Sequence, residues 1–423
     1  MSERRTHISW HRLVCRLAVA LVVVGLAACG RSDRQPILPS TPTVFSVPWQ
    51  RAQVPIGAEH PIIHVSGVLR LHQGTVNDLA LSASGAWLAT ASADAVVAVW
   101  NLANGETLFV QTEVDARHVF FGPGDETLIT VSRSGQVQVW GLSLAPPRTL
   151  EALTQFSGYR AATAGPVIQS PDRSLLAFGA ETGAVTIWRV PQAEQVAHFQ
   201  AHREAVGFLT FSPDGRYLLS IGIERGVRLW AVPSGELIQT LVDADQFEVD
   251  EVATRAAFAP DMRLVAVATD RSIQVWSLPE GDILATIPLA RHGASSQMAF
   301  SPDGQLLVGC GSQPVVGLWE VSTGRQMASL ALPGQACRNA AFAPDGTLLL
   351  TLPAPGRELY LWNLAQLRGS SAEGPALLQR ADRRAMGLPD GAQFFDLAWP
   401  GEGRFVFVLD ETGPIYVLTA QVP

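Results

Sequence analysis

Residues 206–241 read VGFLTFSPDGRYLLSIGIERGVRLWAVPSGELIQTL. Four short apolar runs, at 206–211, 216–220, 227–230 and 237–241, are separated by three turn signals. Ser212-Pro213-Asp214-Gly215 is a tight turn, because proline presets φ at its second position and glycine ends it. Glu224-Arg225-Gly226 and Pro233-Ser234-Gly235 reverse the chain twice more. Runs of five or so residues rich in Val, Leu, Ile and aromatics, bounded by such turns, predict a four-stranded antiparallel sheet.

The same unit recurs. VVAVW ends at Trp100, VQVW at Trp140, VTIW at Trp188, VRLW at Trp230, IQVW at Trp276, VGLW at Trp319 and LYLW at Trp362. Successive tryptophans are 40, 48, 42, 46, 43 and 43 residues apart. The first-to-second turn returns as Ser301-Pro302-Asp303-Gly304 and Ala343-Pro344-Asp345-Gly346, and without its glycine at 170–172 and 259–261. A fixed period of this size, four strands long, predicts an all-β fold in which one small sheet is repeated around a ring, a β-propeller. An eighth unit, 394–418, lacks the tryptophan and supplies three strands before the chain ends. Residues 62–71 (IIHVSGVLRL) are the expected fourth. The reading is therefore eight four-stranded blades over 62–423, the ring closed by an N-terminal strand, with seven blades as the alternative.

The N-terminus reads as an address. Arg4, Arg5, Arg12 and Arg16 precede the apolar stretch 17–28 (LAVALVVVGLAA), too short for a membrane span of about 20 residues. It ends in Leu26-Ala27-Ala28-Cys29-Gly30, which resembles the bacterial lipobox. That resemblance implies cleavage after residue 28 and acylation of Cys29, with Gly30 favouring an outer-membrane destination. Removing residues 1–28 takes away four arginines and one glutamate, moving the net charge from −8 to −11. Residues 29–61 carry Pro36, Pro39, Pro42, Pro48, Pro55 and Pro61 and read as a tether without regular structure, reaching roughly 30 Å. If 62–71 is a fourth strand it runs from bottom to top, so the tether is expected to leave the bottom face and the top to point away from the membrane. Cys310 and Cys337 remain after processing and either pair or stand as separate buried thiols.

Hydrophobic residues make up 47% of the chain and charged residues 16%. All 30 basic residues are arginine, without a basic run, which disfavours nucleic acid as a partner. No Gly-x-Ser-x-Gly, His-Glu-x-x-His or phosphate-cradling glycine loop is present. Asp243–Glu251 holds five carboxylates but not the spacing of a calcium loop. No metal, cofactor or catalytic set is expected.

The repeats resemble the WD-repeat propeller family over 66–423. In that family a His, a Ser or Thr, an Asp and the Trp form a hydrogen-bonded tetrad. His72, Thr90, Asp94 and Trp100 match every place; His202, Ser220, Glu224 and Trp230 match with Glu for Asp. The second repeat keeps Thr130 and Trp140, the fifth Asp270 and Trp276, and the Trp-Asp dipeptide occurs nowhere. The resemblance implies a buried structural role for these sets rather than catalysis, and a platform that binds other proteins. Connections between the second and third strands, and between one blade and the next, share the top face, where contact residues are expected. The candidates are Phe156, Tyr159 and Arg160 in a loop at 154–165, Arg203, Arg225, Arg271, His292 and Arg357 around the channel mouth, and Arg383 in a basic loop at 380–391. The expected function is a lipid-anchored envelope scaffold or assembly factor, itself monomeric, with other envelope proteins as partners. The rivals are a propeller hydrolase of lactonase type and a small-ligand sensor. The hydrolase needs polar groups converging on the channel, whereas first-strand positions are small (Ala80, Ala257, Ala299, Ala341).

Overall fold

The blade read from 206–241 forms strands Val206–Phe211, Tyr217–Gly222, Val227–Ala231 and Leu237–Val242, each pairing antiparallel with the next. The computed structural model describes residues 43–46, 63–112, 115–145, 148–158, 165–243, 253–289, 295–332, 336–354, 356–364, 376–382, 394–398, 405–410 and 415–420. Among them are eight such sheets, here blades 1 to 8, with strands a to d running from the axis outward. Blades 1 to 7 begin at Val76, Ala116, Val167, Val206, Ala253, Ser295 and Cys337. Blade 8 is built from both chain regions: Phe394–Ala398, Phe405–Asp410 and Ile415–Ala420 pair in order, and Ile63–Leu69 is its outer strand. Eight blades closed by the N-terminal strand is the architecture.

Strands b and c are buried on both faces. Leu264–Thr269 (LVAVAT) and Leu306–Gly311 (LLVGCG) read as near-continuous apolar runs because each blade is sandwiched between two neighbours. The core therefore lies between blades. Leu108, Val110 and Leu128 meet Trp140 and Leu150 between blades 1 and 2, while Trp100 and Leu102 meet Ile415 and Val417 across the seam. A disulfide joins Cys310 in strand b of blade 6 to Cys337 in strand a of blade 7, Cα to Cα 5.2 Å, inside one of these clusters.

The two faces are laced differently. On the bottom, the a–b turns of blades 1 to 7 bind the end of strand c, as in Val232 N–H to Arg216 O, 2.8 Å, and Val321 N–H to Gln305 O, 2.9 Å. Ser212 Oγ closes its turn by donating to Asp214 Oδ1 (2.7 Å) while accepting from Tyr217 N–H (2.9 Å), and Gly215 takes φ +70°. On the top, the b–c turns bind the chain linking two blades, as in Ala93 N–H to Thr75 O and Ile223 N–H to Ala205 O, both 2.9 Å.

Three expectations are corrected. The tether at 29–61 is not wholly irregular: Thr43–Ser46 pairs with the outer strand of blade 1 as a fifth strand. Its sequence, TVFS, is β-branched and aromatic and lies between Pro42 and Pro48, so the prolines bound the strand without interrupting it. The loop expected at 154–165 starts later, because strand d of blade 2 runs to Ser157. Arg380, placed in a basic loop, lies in strand Ala376–Asp382 and pairs with Glu358 at 2.6 Å. Cys29, the acidic stretch from 244 onward, and residues 383–391 lie outside the described residues.

Chain entropy sets one expected outcome. The disulfide closes a loop of 27 residues, a constraint worth about 3 kcal/mol. Thermal unfolding with and without reductant, or of Cys310→Ser/Cys337→Ser, should show a lower midpoint for the uncrosslinked chain.

Candidate functional site

In blade 1, Trp100 Nε1 donates to Thr90 Oγ1 (3.0 Å), Thr90 faces His72 Nε2 at 2.8 Å, and His72 Nδ1 lies 3.4 Å from Asp94 Oδ1. The one arrangement that satisfies every group has Thr90 donating to Nε2 and Nδ1–H donating to Asp94. Asp94 also accepts from Gln73 N–H (2.7 Å) and Val96 N–H (3.0 Å), tying the inter-blade chain to the b–c turn. Blade 4 repeats the chain: Trp230 Nε1 to Ser220 Oγ, 2.8 Å; Ser220 to His202 Nε2, 2.7 Å; His202 Nδ1 to Glu224 Oε1, 2.6 Å. Here Glu224 also meets Arg228 at 3.3 Å. The longer carboxylate fits because residue 222 is glycine; a Cβ there would collide with Glu224 Oε2 and crowd His202 Nδ1. Blade 1, with the shorter Asp94, holds Ser92 at that position, and its hydroxyl accepts from Asp94 N–H.

Burial holds both imidazoles below their ordinary value of 6.5; the pull of Asp94 on His72 and of Glu224 on His202 does not overcome it, and Arg228 adds to the fall for His202. For Asp94 burial opposes the charge, yet the two backbone N–H groups and His72 outweigh it and hold the carboxyl low. Both histidines are thus held neutral at pH 7, each hydrogen-bonded between a hydroxyl and a carboxylate.

The other tryptophans solve the same problem differently. Trp140 donates to Thr130 Oγ1 at 3.2 Å, and Trp362 to Thr351 Oγ1 at 3.0 Å, a pair the repeat pattern did not reveal. Trp188 turns to blade 2, donating to Gly158 O (3.3 Å) and packing at a tilt of 33° against Phe156, centroids 4.5 Å apart. Phe156, a sequence candidate for partner binding, is thus half-buried in blade-to-blade packing. Trp276 Nε1 is buried without a partner, since Val267 stands where blade 1 has Thr90.

Of the remaining candidates, Arg203, Arg271 and Arg357 are exposed in top-face connections. Arg225 is half-buried, with φ +79° in the b–c turn of blade 4. Tyr159, Arg160, His292 and Arg383 lie outside the described residues. Sequence reasoning missed Ile223, 56% exposed in the same turn as Arg225 and bonded through its backbone to the segment that carries Arg203. An Ile between glycine and glutamate reads as the tail of strand b; only the turn geometry turns it outward.

It also missed polar groups at the axis. The first strand shifts register after its first residue in blades 1, 2, 4, 5, 6 and 7, which places Asp78, His118, Phe208, Arg255, Gln297 and Asn339 at equivalent positions. The channel wall is therefore less apolar than the alanines at 80, 257, 299 and 341 suggested. Asp78 Oδ2 lies 3.3 Å from His118 Nδ1 and accepts from Val119 N–H at 3.1 Å, beside a cavity of about 460 Å³ lined also by Phe120, Ile168 and Thr210. Among the described residues no group of three or more His, Cys, Asp or Glu is placed to hold a metal ion.

The WD domain, G-beta repeat family matches residues 64–101 and 193–231. Each match starts in the outer strand of one blade and ends with the tryptophan strand of the next. The two blades it selects are those with the full His–hydroxyl–carboxylate–Trp chain. The fold is a β-propeller, two of whose blades match the WD-repeat family. The chain is 30% identical over 254 residues to human WD repeat-containing protein 90, across 56% of this chain and 14% of that one. It is 25% identical over 170 residues to Target of rapamycin complex subunit wat1 of Schizosaccharomyces pombe, across 38% and 52%. To the mouse guanine nucleotide-exchange factor SEC12 it is 41% identical over 59 residues, 14% of each chain. The matched region spans about half or less of the length of each relative. Among solved structures, Sqt1 from Chaetomium thermophilum superposes with a TM-score of 0.69 at 18% identity, covering 84% of this chain and 98% of Sqt1. The same protein bound to the N-terminus of ribosomal protein L10 gives 0.67 at 18%, covering 84% and 98%. At that identity the likeness concerns the fold.

Three outcomes follow from the tetrads. The unfolded chain protonates His72 and His202 near pH 6.5 and the folded chain resists, so stability is complete above that pH. It falls as the pH drops toward the lowered folded values, by up to about 1.4 kcal/mol per pH unit for each histidine. Unfolding midpoints between pH 7.5 and 5 should show this slope, and His72→Gln/His202→Gln should flatten it while lowering stability at pH 7.5. Gly222→Ser should destabilise blade 4, with Glu224→Asp in the same chain restoring much of the loss. Val267→Thr should offer Trp276 an acceptor and raise the midpoint, by about 1 kcal/mol in stability.

Proposed function

We propose that this WD-repeat propeller is a lipid-anchored scaffold of a bacterial envelope, acylated at Cys29, that binds another envelope protein through its top face. The observation that carries the binding surface is Ile223, 56% exposed and flanked by Arg225 in its own turn and by exposed Arg203 in the adjoining segment. An apolar anchor ringed by guanidinium groups suits a partner that presents an apolar side chain between carboxylates. Sqt1 bound to a ribosomal protein's N-terminus is a precedent for a propeller of this fold receiving a peptide chain. The anchor reading rests on the charged, apolar and Leu26-Ala27-Ala28-Cys29 segments in succession. The platform itself carries no catalytic role in this reading.

Pull-down of the lipidated protein from gently solubilised membranes, beside a variant with Arg203, Ile223 and Arg225 changed to alanine, tests the surface. A stoichiometric partner retained by the wild type and lost, with at least tenfold weaker binding, in the variant is the expected result. Equal retention by both would remove the top-face assignment.

A further inference from the structure

Thr43–Ser46 runs antiparallel to the outer strand of blade 1, with Thr43 opposite Phe109 and Ser46 opposite Glu106. Strand d rises from the bottom, where Gly105 ends the c–d turn, to the top, where Thr112 binds the b–c turn at Ala95. Thr43 is therefore the upper end of the added strand and Ser46 the lower. The chain does reach blade 8 from below, since Ile63 lies opposite Ala420 at the bottom end of strand c. Seventeen residues earlier, however, it has run down the rim of the neighbouring blade, from Thr43 at the top to Ser46 at the bottom.

Why blade 1 takes the extra strand is visible in the ladders. In blades 2 to 7 strand d shifts register against strand c, setting Leu153, Val196, Ile238, Leu284, Met327 and Leu378 outside the regular pairing. The outer strand of blade 8 shifts between Val65 and Gly67. Blade 1 pairs without a break from Val96↔Gln111 to Trp100↔Thr107. Bulges disrupt an edge and block further pairing; a regular edge accepts a strand. The one unbroken outer edge among the described blades is the one that carries residues 43–46.

We propose that residues 43–46 are a latch that moves the departure of the anchoring segment to the upper rim of blade 1, so that the top face is turned toward the membrane and meets a partner held in or on the same bilayer. This inference rests on the lipid-anchor reading. The latch leaves only residues 30–42 between Cys29 and the first paired residue, a stretch that can span at most about 45 Å, where without it residues 30–62 would intervene. It also reverses the orientation expected from strand 63–69 alone, in which the bottom faced the lipid.

The test places one fluorophore at a time on blade 1, at Ala93→Cys in the top b–c turn or Ala103→Cys in the bottom c–d turn, both exposed. Cys310 and Cys337 are paired and acylation blocks Cys29, so the probe is unique. The lipidated chain is reconstituted in phosphatidylcholine vesicles containing a headgroup quencher. Quenching at residue 93 at least twofold stronger than at 103 is expected. In Val44→Pro/Phe45→Pro the difference should vanish: successive N–H groups point to opposite sides, so one of the two prolines removes a ladder bond. Equal or stronger quenching at residue 103, or a difference untouched by the prolines, overturns the latch. Failure of the native chain to float with vesicles counts against the lipid anchor. The orientation is then read on a chain from residue 30 with a hexahistidine tag before it, held on nickel-chelating lipid, where the same two quenching results support or overturn it. Unfolding midpoints for the proline variant close to the wild type show that the propeller itself is intact.

Discussion

Each blade of this ring has two apolar faces and no means of burying either by itself. Strands b and c are sealed only when a neighbour lies on each side, so stability belongs to the interfaces, and the ring has to close. Closure falls to Ile63–Leu69, which completes blade 8 from a point some 350 residues before the rest of that blade. The ladder with Ile415–Ala420 ties the two chain regions together by backbone hydrogen bonds, and Trp100 packs over Ile415 and Val417 where the first blade meets the last.

Tryptophan, the largest side chain in these interfaces, brings an N–H with it, and the buried N–H needs an acceptor. The blades answer in graded ways. Blades 1 and 4 build a full chain from Trp through a hydroxyl and an imidazole to a carboxylate, which also pins the inter-blade segment to the b–c turn. Blades 2 and 7 keep only the hydroxyl, blade 3 borrows a carbonyl from its neighbour, and blade 5 leaves the N–H unmet. In blades 1 and 4 the top-face turn is therefore held by side chains as well as by backbone. Ile223, Arg203 and Arg225 stand at the one in blade 4.

The two faces differ in what the backbone leaves for side chains. Bottom a–b turns close on themselves through Ser–Asp pairs, as at Ser212–Asp214 and Ser301–Asp303, with Arg216 projecting beside the first. Top-face b–c turns and inter-blade segments lie beside each other in pairs joined through the backbone, and carry the exposed Arg203, Arg271 and Arg357. The rim is guarded by bulges on seven outer strands and open on the eighth, where the chain's own N-terminal segment occupies the edge.

Seven tryptophans at near-even spacing, each closing a Val- or Leu-rich run, were enough to determine the ring and its four-stranded unit, because period and turn chemistry are local and repeat in the sequence; the eighth blade, without a tryptophan, was favoured over a seven-bladed alternative and decided by the pairing of Ile63–Leu69 with Ile415–Ala420. The histidine, hydroxyl and carboxylate of blades 1 and 4 were legible for the same reason: they sit at fixed offsets from Trp100 and Trp230. Thr351 escaped notice because its offset from Trp362 is 11 rather than 10. Ile223 and the Asp78–His118 pair escaped because a turn and a one-residue register shift, not residue type, decide which way they face. The path of residues 43–46 is the clearest case of what only tertiary structure decides. Six prolines between residues 36 and 61 led the sequence reading to expect no regular structure there. The hydrogen-bonding edge that orders four of its residues belongs to a strand 60 positions further on, offered only once blade 1 has formed with an unbroken ladder.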